Sequence, residues 1–391
     1  MNNFIYDIPT KVFFGKGQIR HLPQQIAEVG KRVLLVYGGG SIKRSGLYEE
    51  IVSLLKQNQI DWQELPGVQA NPKIDSVREG IALMRQHQLD CVVAVGGGST
   101  LDCAKAICAG VDYDGDPWEL VMDPARVKTC RPLITVLTMA ATGSEMDNIA
   151  VISNPQTRDK KGFSSYGMFP RCSILDPVYT FSVPASQTAA GTADIMSHVM
   201  ESYFDQVCGA AVQDGFSEAM LKTCIHYAPI ALRKPDDYEA RANLMWTASM
   251  AINGLNSLGK NRAWSCHPME HVLSAYYDIT HGVGLAILTP RWMKQVLCEE
   301  TVDQLARFAW NVWDVDPAME KQAAAEEGIR RLYQFFLELG IPMTLPEVGI
   351  DETLLEEMAA KAAQSDYTRA FYPLSGKDIL AIFQACMKPM I

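Results

Sequence analysis

Apolar runs closed by glycine alternate with amphipathic stretches through the first part of the chain. Arg32-Val-Leu-Leu-Val-Tyr37 ends in Gly38-Gly39-Gly40-Ser41, and Cys91-Val-Val-Ala-Val95 ends in Gly96-Gly97-Gly98-Ser99. Leu133–Leu137 and Ser173–Leu175 are further buried-type runs, Asp61–Leu65 is a weaker one, and Phe4 to Phe14 reads as short strands. Between them Leu47–Gln57, Ile74–Gln88 and Leu101–Ala109 carry apolar residues at helical spacing, as in Leu47, Ile51, Leu54 and Leu55. Strands apolar on both faces and joined by helices predict a parallel sheet with helical crossovers. After Asp176-Pro177 the pattern changes. From Ser186 onward it predicts helices alone: Thr192–Val207, Gln213–Ala228, Tyr238–Ser257, Cys266–Ala275, Met293–Val312, Lys321–Leu339, Leu354–Gln364 and Gly376–Met387. The expectation is therefore a Rossmann-like α/β domain over residues 1–184 and an all-helical domain over 185–391.

Composition narrows the partners. With 391 residues, 48% hydrophobic and 20% charged, the chain has the balance of a globular protein large enough for two cores. A net charge of -10 gives no attraction to nucleic acid or an anionic membrane. The ten cysteines are scattered with no C-x-x-C, which fits a reducing compartment rather than a disulfide framework. The first residues, Met1-Asn-Asn-Phe-Ile-Tyr-Asp7, lack a signal-peptide pattern, and no apolar run approaches the ~20 residues of a membrane span. A cytoplasmic protein with neither nucleic-acid nor membrane partners is expected.

Candidate chemistry concentrates between Gly191 and His281. Five of the seven histidines lie there. Asp194 and His198 are four residues apart, so a helix projects both from one face; His267 and His271 repeat the spacing, and His281 precedes Gly282, where backbone could approach a ligand. One carboxylate with two or three imidazoles suits a divalent transition metal such as Fe(II) or Zn(II) with a position left open.

The glycine turns suggest a nucleotide. A strand that ends in Gly-Gly-Gly-Ser and opens a helix leaves backbone N–H groups for phosphate, so Gly38, Gly39, Gly40, Ser41, Gly96, Gly97, Gly98 and Ser99 are candidate contacts. Neither turn is the G-x-G-x-x-G fingerprint. After the first turn come Lys43 and Arg44 and no acid, which predicts NADP(H) in preference to NAD(H). A third loop, Thr138-Met-Ala-Ala-Thr142-Gly-Ser-Glu145, offers Thr138 and Thr142 to the nicotinamide end, and Lys160 could reach phosphate from the following segment.

These motifs resemble the iron-containing (type III) alcohol dehydrogenase family. The resemblance rests on Val95–Ser99 with Leu101-Asp102-Cys-Ala-Lys105, on Thr142-Gly-Ser-Glu145, and on the series Leu175-Asp-Pro177, Pro184, Gly191-Thr-Ala-Asp194, His198, Glu201, His267-Pro-Met-Glu-His271 and His281-Gly-Val-Gly284. The stretches Tyr37–Arg44, Asp116-Pro117-Trp118 and Arg241–Trp246 are most similar to its branch of NAD(P)H-dependent butanol dehydrogenases and broad aldehyde reductases. The resemblance implies a dehydroquinate synthase-like fold, a homodimer, and a small aldehyde or alcohol as substrate. It implies Asp194, His198, His267 and His281 as ligands of one metal, with His271 close by as a non-ligand, and Asp102 near the nicotinamide ribose. Hydride would pass between nicotinamide and a carbonyl carbon polarised by the metal, and His271 would relay a proton through water. The competing readings are a metal- and NAD-dependent lyase on the same scaffold and a non-catalytic nucleotide-binding protein. The lyase needs a cluster of cations, and Lys260-Asn-Arg262 is the nearest approach to one.

Overall fold

A computed structural model describes residues 1–390. Six parallel strands form one sheet: β1 (Lys11–Phe14), β2 (Arg32–Tyr37), β3 (Asp61–Leu65), β4 (Cys91–Gly96), β5 (Leu133–Leu137) and, after a hairpin of β6 (Ile149–Asn154) and β7 (Asp159–Ser164), β8 (Cys172–Leu175). Their order is β1-β8-β5-β4-β2-β3. The apolar runs mean what they predict. Alternate residues of β2 and β4 enter opposite cores: Leu34, Val36, Val92 and Ala94 pack with Val77, Ile81, Leu101 and Ile107, while Val33, Leu35, Val93 and Val95 pack with Leu22, Ile26, Ile51 and Leu55.

The expected strands around Phe4 reduce to β1, with residues 1–10 outside any strand, and the β6–β7 hairpin is additional to the expected elements. Chain order places β3 on one side of β2 and β4 on the other. The carboxyl ends of β2 and β4 are thus neighbours at a switch point, with Tyr37 paired to Val95, and the two glycine turns emerge side by side.

Contacts divide the chain into two units. One holds Asp7–Pro184 together with Lys234–Asn253; the other holds Met1–Tyr6, Ala185–Arg233 and Gly254 onward. The sheet unit thus takes in a segment from beyond residue 184. Helix Tyr238–Ile252, capped by the Asp237 carboxylate, passes so close to Gly143 that a Cβ there would lie 2.4 Å from the Ala248 carbonyl oxygen.

The second unit is helical, with Ala185–Tyr203, Ala211–Arg233, Cys266–Tyr277, His281–Gln295, Val302–Trp313, Lys321–Glu338, Leu355–Ala362 and Gly376–Ala385. The single helix expected over Met293–Val312 is two. The hydroxyl of Thr301 donates to the Val296 carbonyl (2.5 Å) and accepts from the Cys298 amide (3.0 Å), closing the first helix before the second begins. All ten cysteines are free thiols. Among the described residues no helix is long and apolar enough to cross a membrane.

Candidate functional site

The helical unit brings four of the singled-out side chains together. Helix Ala185–Tyr203 presents Asp194, His198 and Glu201 from one face, at positions i, i+4 and i+7. Asp194 Oδ1 lies 3.7 Å from His198 Nδ1 and 3.7 Å from His281 Nε2. The rings of His198 and His267 stack with centroids 4.7 Å apart, and Trp264 packs 4.3 Å from His267. Asp194, His267 and His281 each offer one donor atom within 4.8 Å of the others.

Two further carboxylates aim the imidazoles. Glu201 accepts backbone N–H bonds from Ser265 (2.7 Å), Cys266 (2.7 Å) and His267 (3.0 Å), so it caps helix Cys266–Tyr277 from a neighbouring helix. Its Oε1 also lies 3.1 Å from His267 Nδ1, which turns Nε2 toward the cluster. Glu270 does the same for His281, hydrogen-bonding Nδ1, while Ser274 donates to its other oxygen. A carboxylate behind each imidazole fixes its tautomer and its orientation. His267 Nε2 and His198 Nδ1 are buried without a hydrogen-bond partner. Burial, then the neighbouring imidazoles of His267, His281 and His271, holds His198 well below the usual histidine range, so its lone pair stays available. Buried imidazole nitrogens without a hydrogen-bond partner, set close to a carboxylate, suit a divalent metal, and the residues fit such an ion.

His281 reaches the cluster because Gly282 permits it. A Cβ on Gly282 would stand 1.9 Å from the Ala190 carbonyl oxygen, so the close backbone approach expected there is to helix Ala185–Tyr203 and not to a ligand. His271 stands next to the group, with its ring 5.7 Å from that of His281 and 6.3 Å from that of His267. Glu201 and Glu270 were within reach of the sequence only as members of the quoted motifs; their tasks depend on contacts between helices.

The sheet unit holds the other candidates. Gly38, Gly39, Gly40 and Ser41 follow β2, with Gly40 at φ +93°, and open the short helix Ser41–Arg44 before Leu47–Gln57. Gly96, Gly97, Gly98 and Ser99 lead from β4 into helix Gly98–Gly110. The glycines there serve packing as well as approach. A Cβ on Gly96 would meet Thr100 Oγ1 at 2.5 Å, and one on Gly98 would meet Thr142 Oγ1 at 2.3 Å. Thr142 therefore lies against the second turn, and the Thr138 amide donates to the Gly96 carbonyl at 3.0 Å. Lys160 lies on β7 opposite Ser153, with its side chain buried.

Asp102 is anchored. Its Oδ1 accepts from Ser144 Oγ (2.6 Å) and its Oδ2 from the Val151 amide (3.0 Å), which ties the third loop and β6 to helix Gly98–Gly110. Burial, countered by the Lys105 charge, pushes this carboxyl up to about 6. Lys105 donates to Ser144 and Asp147, and Ser249 donates to Glu145, whose carboxyl burial pushes up to about 7.

Two family models cover nearly the whole chain. The model described as iron-containing alcohol dehydrogenase matches residues 9–177, and that for the C-terminal part of the Fe-containing alcohol dehydrogenase family matches residues 188–387. The chain belongs to the iron-containing alcohol dehydrogenase family. Among its relatives, the NADH-dependent butanol dehydrogenase A of Clostridium acetobutylicum is 54% identical over 386 residues, covering 98% of this chain and 99% of the relative. The NADPH-dependent aldehyde reductase YqhD of Escherichia coli is 35% identical, covering 94% and 95%. The crystal structure of the NADH-dependent butanol dehydrogenase A from Thermotoga maritima aligns at a TM-score of 0.95 with 36% identity, covering 99% of both chains. The chain is thus an alcohol dehydrogenase of the iron-containing type, and its sheet followed by helices is that family's architecture.

Proposed function

We propose that this alcohol dehydrogenase interconverts small primary alcohols such as butanol with their aldehydes, using NADH or NADPH as hydride carrier and one divalent metal. The observation that carries the reading is the convergence of Asp194, His198, His267 and His281, with two of the imidazoles braced from behind by Glu201 and Glu270. Bound there, Fe(II) or Zn(II) would supply Lewis acidity toward a carbonyl oxygen. The chain's own residues supply the rest. Asp194 brings one negative charge and the three histidines bring neutral donors, which suits a divalent ion of open coordination. His271 is the candidate to carry a proton through water, from its place beside His281 and His267. The paired glycine turns are proposed to hold the dinucleotide, with Thr138, Thr142 and Lys160 as further candidates, and Asp102 positions that framework from within. The butanol dehydrogenase and aldehyde reductase relatives support the substrate class. The reading also takes the enzyme as a cytoplasmic homodimer, supported by the scattered cysteines and the family resemblance.

The test is oxidation of NADH and of NADPH with butanal, on chelator-treated protein and after separate addition of Fe(II) and Zn(II). Turnover that disappears with the metal and returns with one of the ions is expected. Absence of turnover with either ion, despite tight nucleotide binding, would overturn the reading in favour of the lyase or the non-catalytic nucleotide-binding protein.

A further inference from the structure

Beside the first glycine turn stands a group of side chains of which the coenzyme reading used Lys43 alone. Lys43 holds its ammonium over two aromatic rings, 4.6 Å from the centroid of Tyr48 and 5.2 Å from that of Tyr37. Both phenols donate to one carboxylate: Tyr37 to Glu64 Oε2 at 2.6 Å and Tyr48 to Glu64 Oε1 at 2.7 Å. The Trp62 indole adds a third bond to Oε1 at 3.2 Å. A cation and an anion thus share one pair of tyrosines.

Glu64 lies on β3, paired with Leu35 of β2 and one residue before the strand ends. An acid at the end of the strand next to a glycine turn is where a dinucleotide-binding unit meets the adenosine ribose. Partial burial works against the charge on Glu64, yet the bonds from Tyr37, Tyr48 and Trp62, with the Lys43 charge, outweigh it and hold the carboxyl below its usual range. The other cation at the turn, Arg44, is exposed, with a guanidinium nitrogen 3.8 Å from the place a Cβ on Gly40 would take.

NADH and NADPH differ at the ribose 2′ position, a hydroxyl in one and a phosphate in the other. We propose that Glu64 sets the coenzyme preference toward NADH, by compensating Lys43 across the two tyrosines and by setting a fixed negative charge where a 2′-phosphate would arrive. The proposal deepens the coenzyme part of the proposed function and rests on it. Glu64 is a positioning residue: it acts through Lys43 and through its field, and its three donors keep it in place. It reverses the expectation drawn from Lys43 and Arg44 alone, which counted two cations and no acid.

The experiment measures dissociation constants of NADH and NADPH, by nicotinamide fluorescence, for the whole protein and for Glu64→Gln, Lys43→Gln and the double variant. The wild type is expected to bind NADH more tightly. Glu64→Gln is expected to raise the NADPH-to-NADH affinity ratio about fivefold or more, the scale of removing one partly exposed charge near a phosphate. The double variant should return the ratio toward the wild-type value, because the released cation is gone. A Glu64→Gln variant that weakens both nucleotides alike, or moves the ratio by less than about twofold, assigns Glu64 a purely structural part and overturns the proposal. Failure of the wild type to bind either nucleotide sinks the coenzyme reading itself and the proposal with it.

Discussion

Glu201 and Glu270 decide how the histidines face, although neither shares the open point. Each takes the Nδ1 side of one ring, so each leaves Nε2 directed at Asp194 and its neighbours. Replacing Glu270 by Gln keeps the shape and removes the charge behind His281. The expected result is metal affinity lower by about 10- to 100-fold in a chelator competition, with the helical content unchanged by circular dichroism; equal affinity would mean that His281 is aimed by packing alone. The sequence showed Asp194 and His198 because their spacing survives as a single helix face. It showed less of Glu201 and Glu270, since a capping bond to residues 265–267 and a bond to His281 arise only when separate helices meet. Glu64 was hidden for the same reason. It lies on another strand from Lys43, and its effect on that cation passes through Tyr37 and Tyr48.

At the scale of elements, the crossing of helices Ala185–Tyr203 and His281–Gln295 sets the site. Gly282 lies where the two backbones come close, with room for no side chain. Gly282→Ala forces a methyl group against a backbone carbonyl that has no rotamer to yield, so the helices must part. A loss of about 3 kcal/mol in urea unfolding is expected, together with weakened metal binding, since His281 is the adjacent residue. Unchanged stability would show that the crossing adjusts without cost. The second helix was not legible as one because Gly282, Gly284 and Pro290 read as breakers, whereas burial of Leu285, Ile287, Leu288, Trp292 and Met293 holds it. The strands were far easier. A parallel strand covered on both faces must be apolar throughout, and β2, β4 and β5 announce themselves by that rule. The β6–β7 hairpin obeys no such rule: β7 reads Asp-Lys-Lys-Gly-Phe-Ser, and only its pairing with β6 makes it a strand.

For the whole molecule, acidity acts through groups that the fold keeps from water. Glu145 titrates near 7 in the folded chain against 4.5 in an unfolded one, because burial disfavours its charge. A folded pKa above the unfolded one adds stability that is complete below 4.5 and lost as pH rises through 7. Relative to Glu145→Gln, the wild type is therefore expected to lose stability between those limits by up to about 1.4 kcal/mol per pH unit, and to run parallel outside them. Urea unfolding of both proteins at a series of pH values checks this; a difference independent of pH would show that Glu145 keeps an ordinary titration. The interrupted path of the chain has a consequence for its making. The sheet unit needs helix Tyr238–Ile252, whose Ser249 holds Glu145, and the helical unit claims Met1–Tyr6, whose Asn2 amide bonds the Gly259 carbonyl at 2.7 Å. On the ribosome, residues 1–6 therefore wait for residues beyond 253 before they can settle. The sheet likewise stays unfinished until well past its last strand, so a gene cut after residue 184 would yield a sheet without its closing helix.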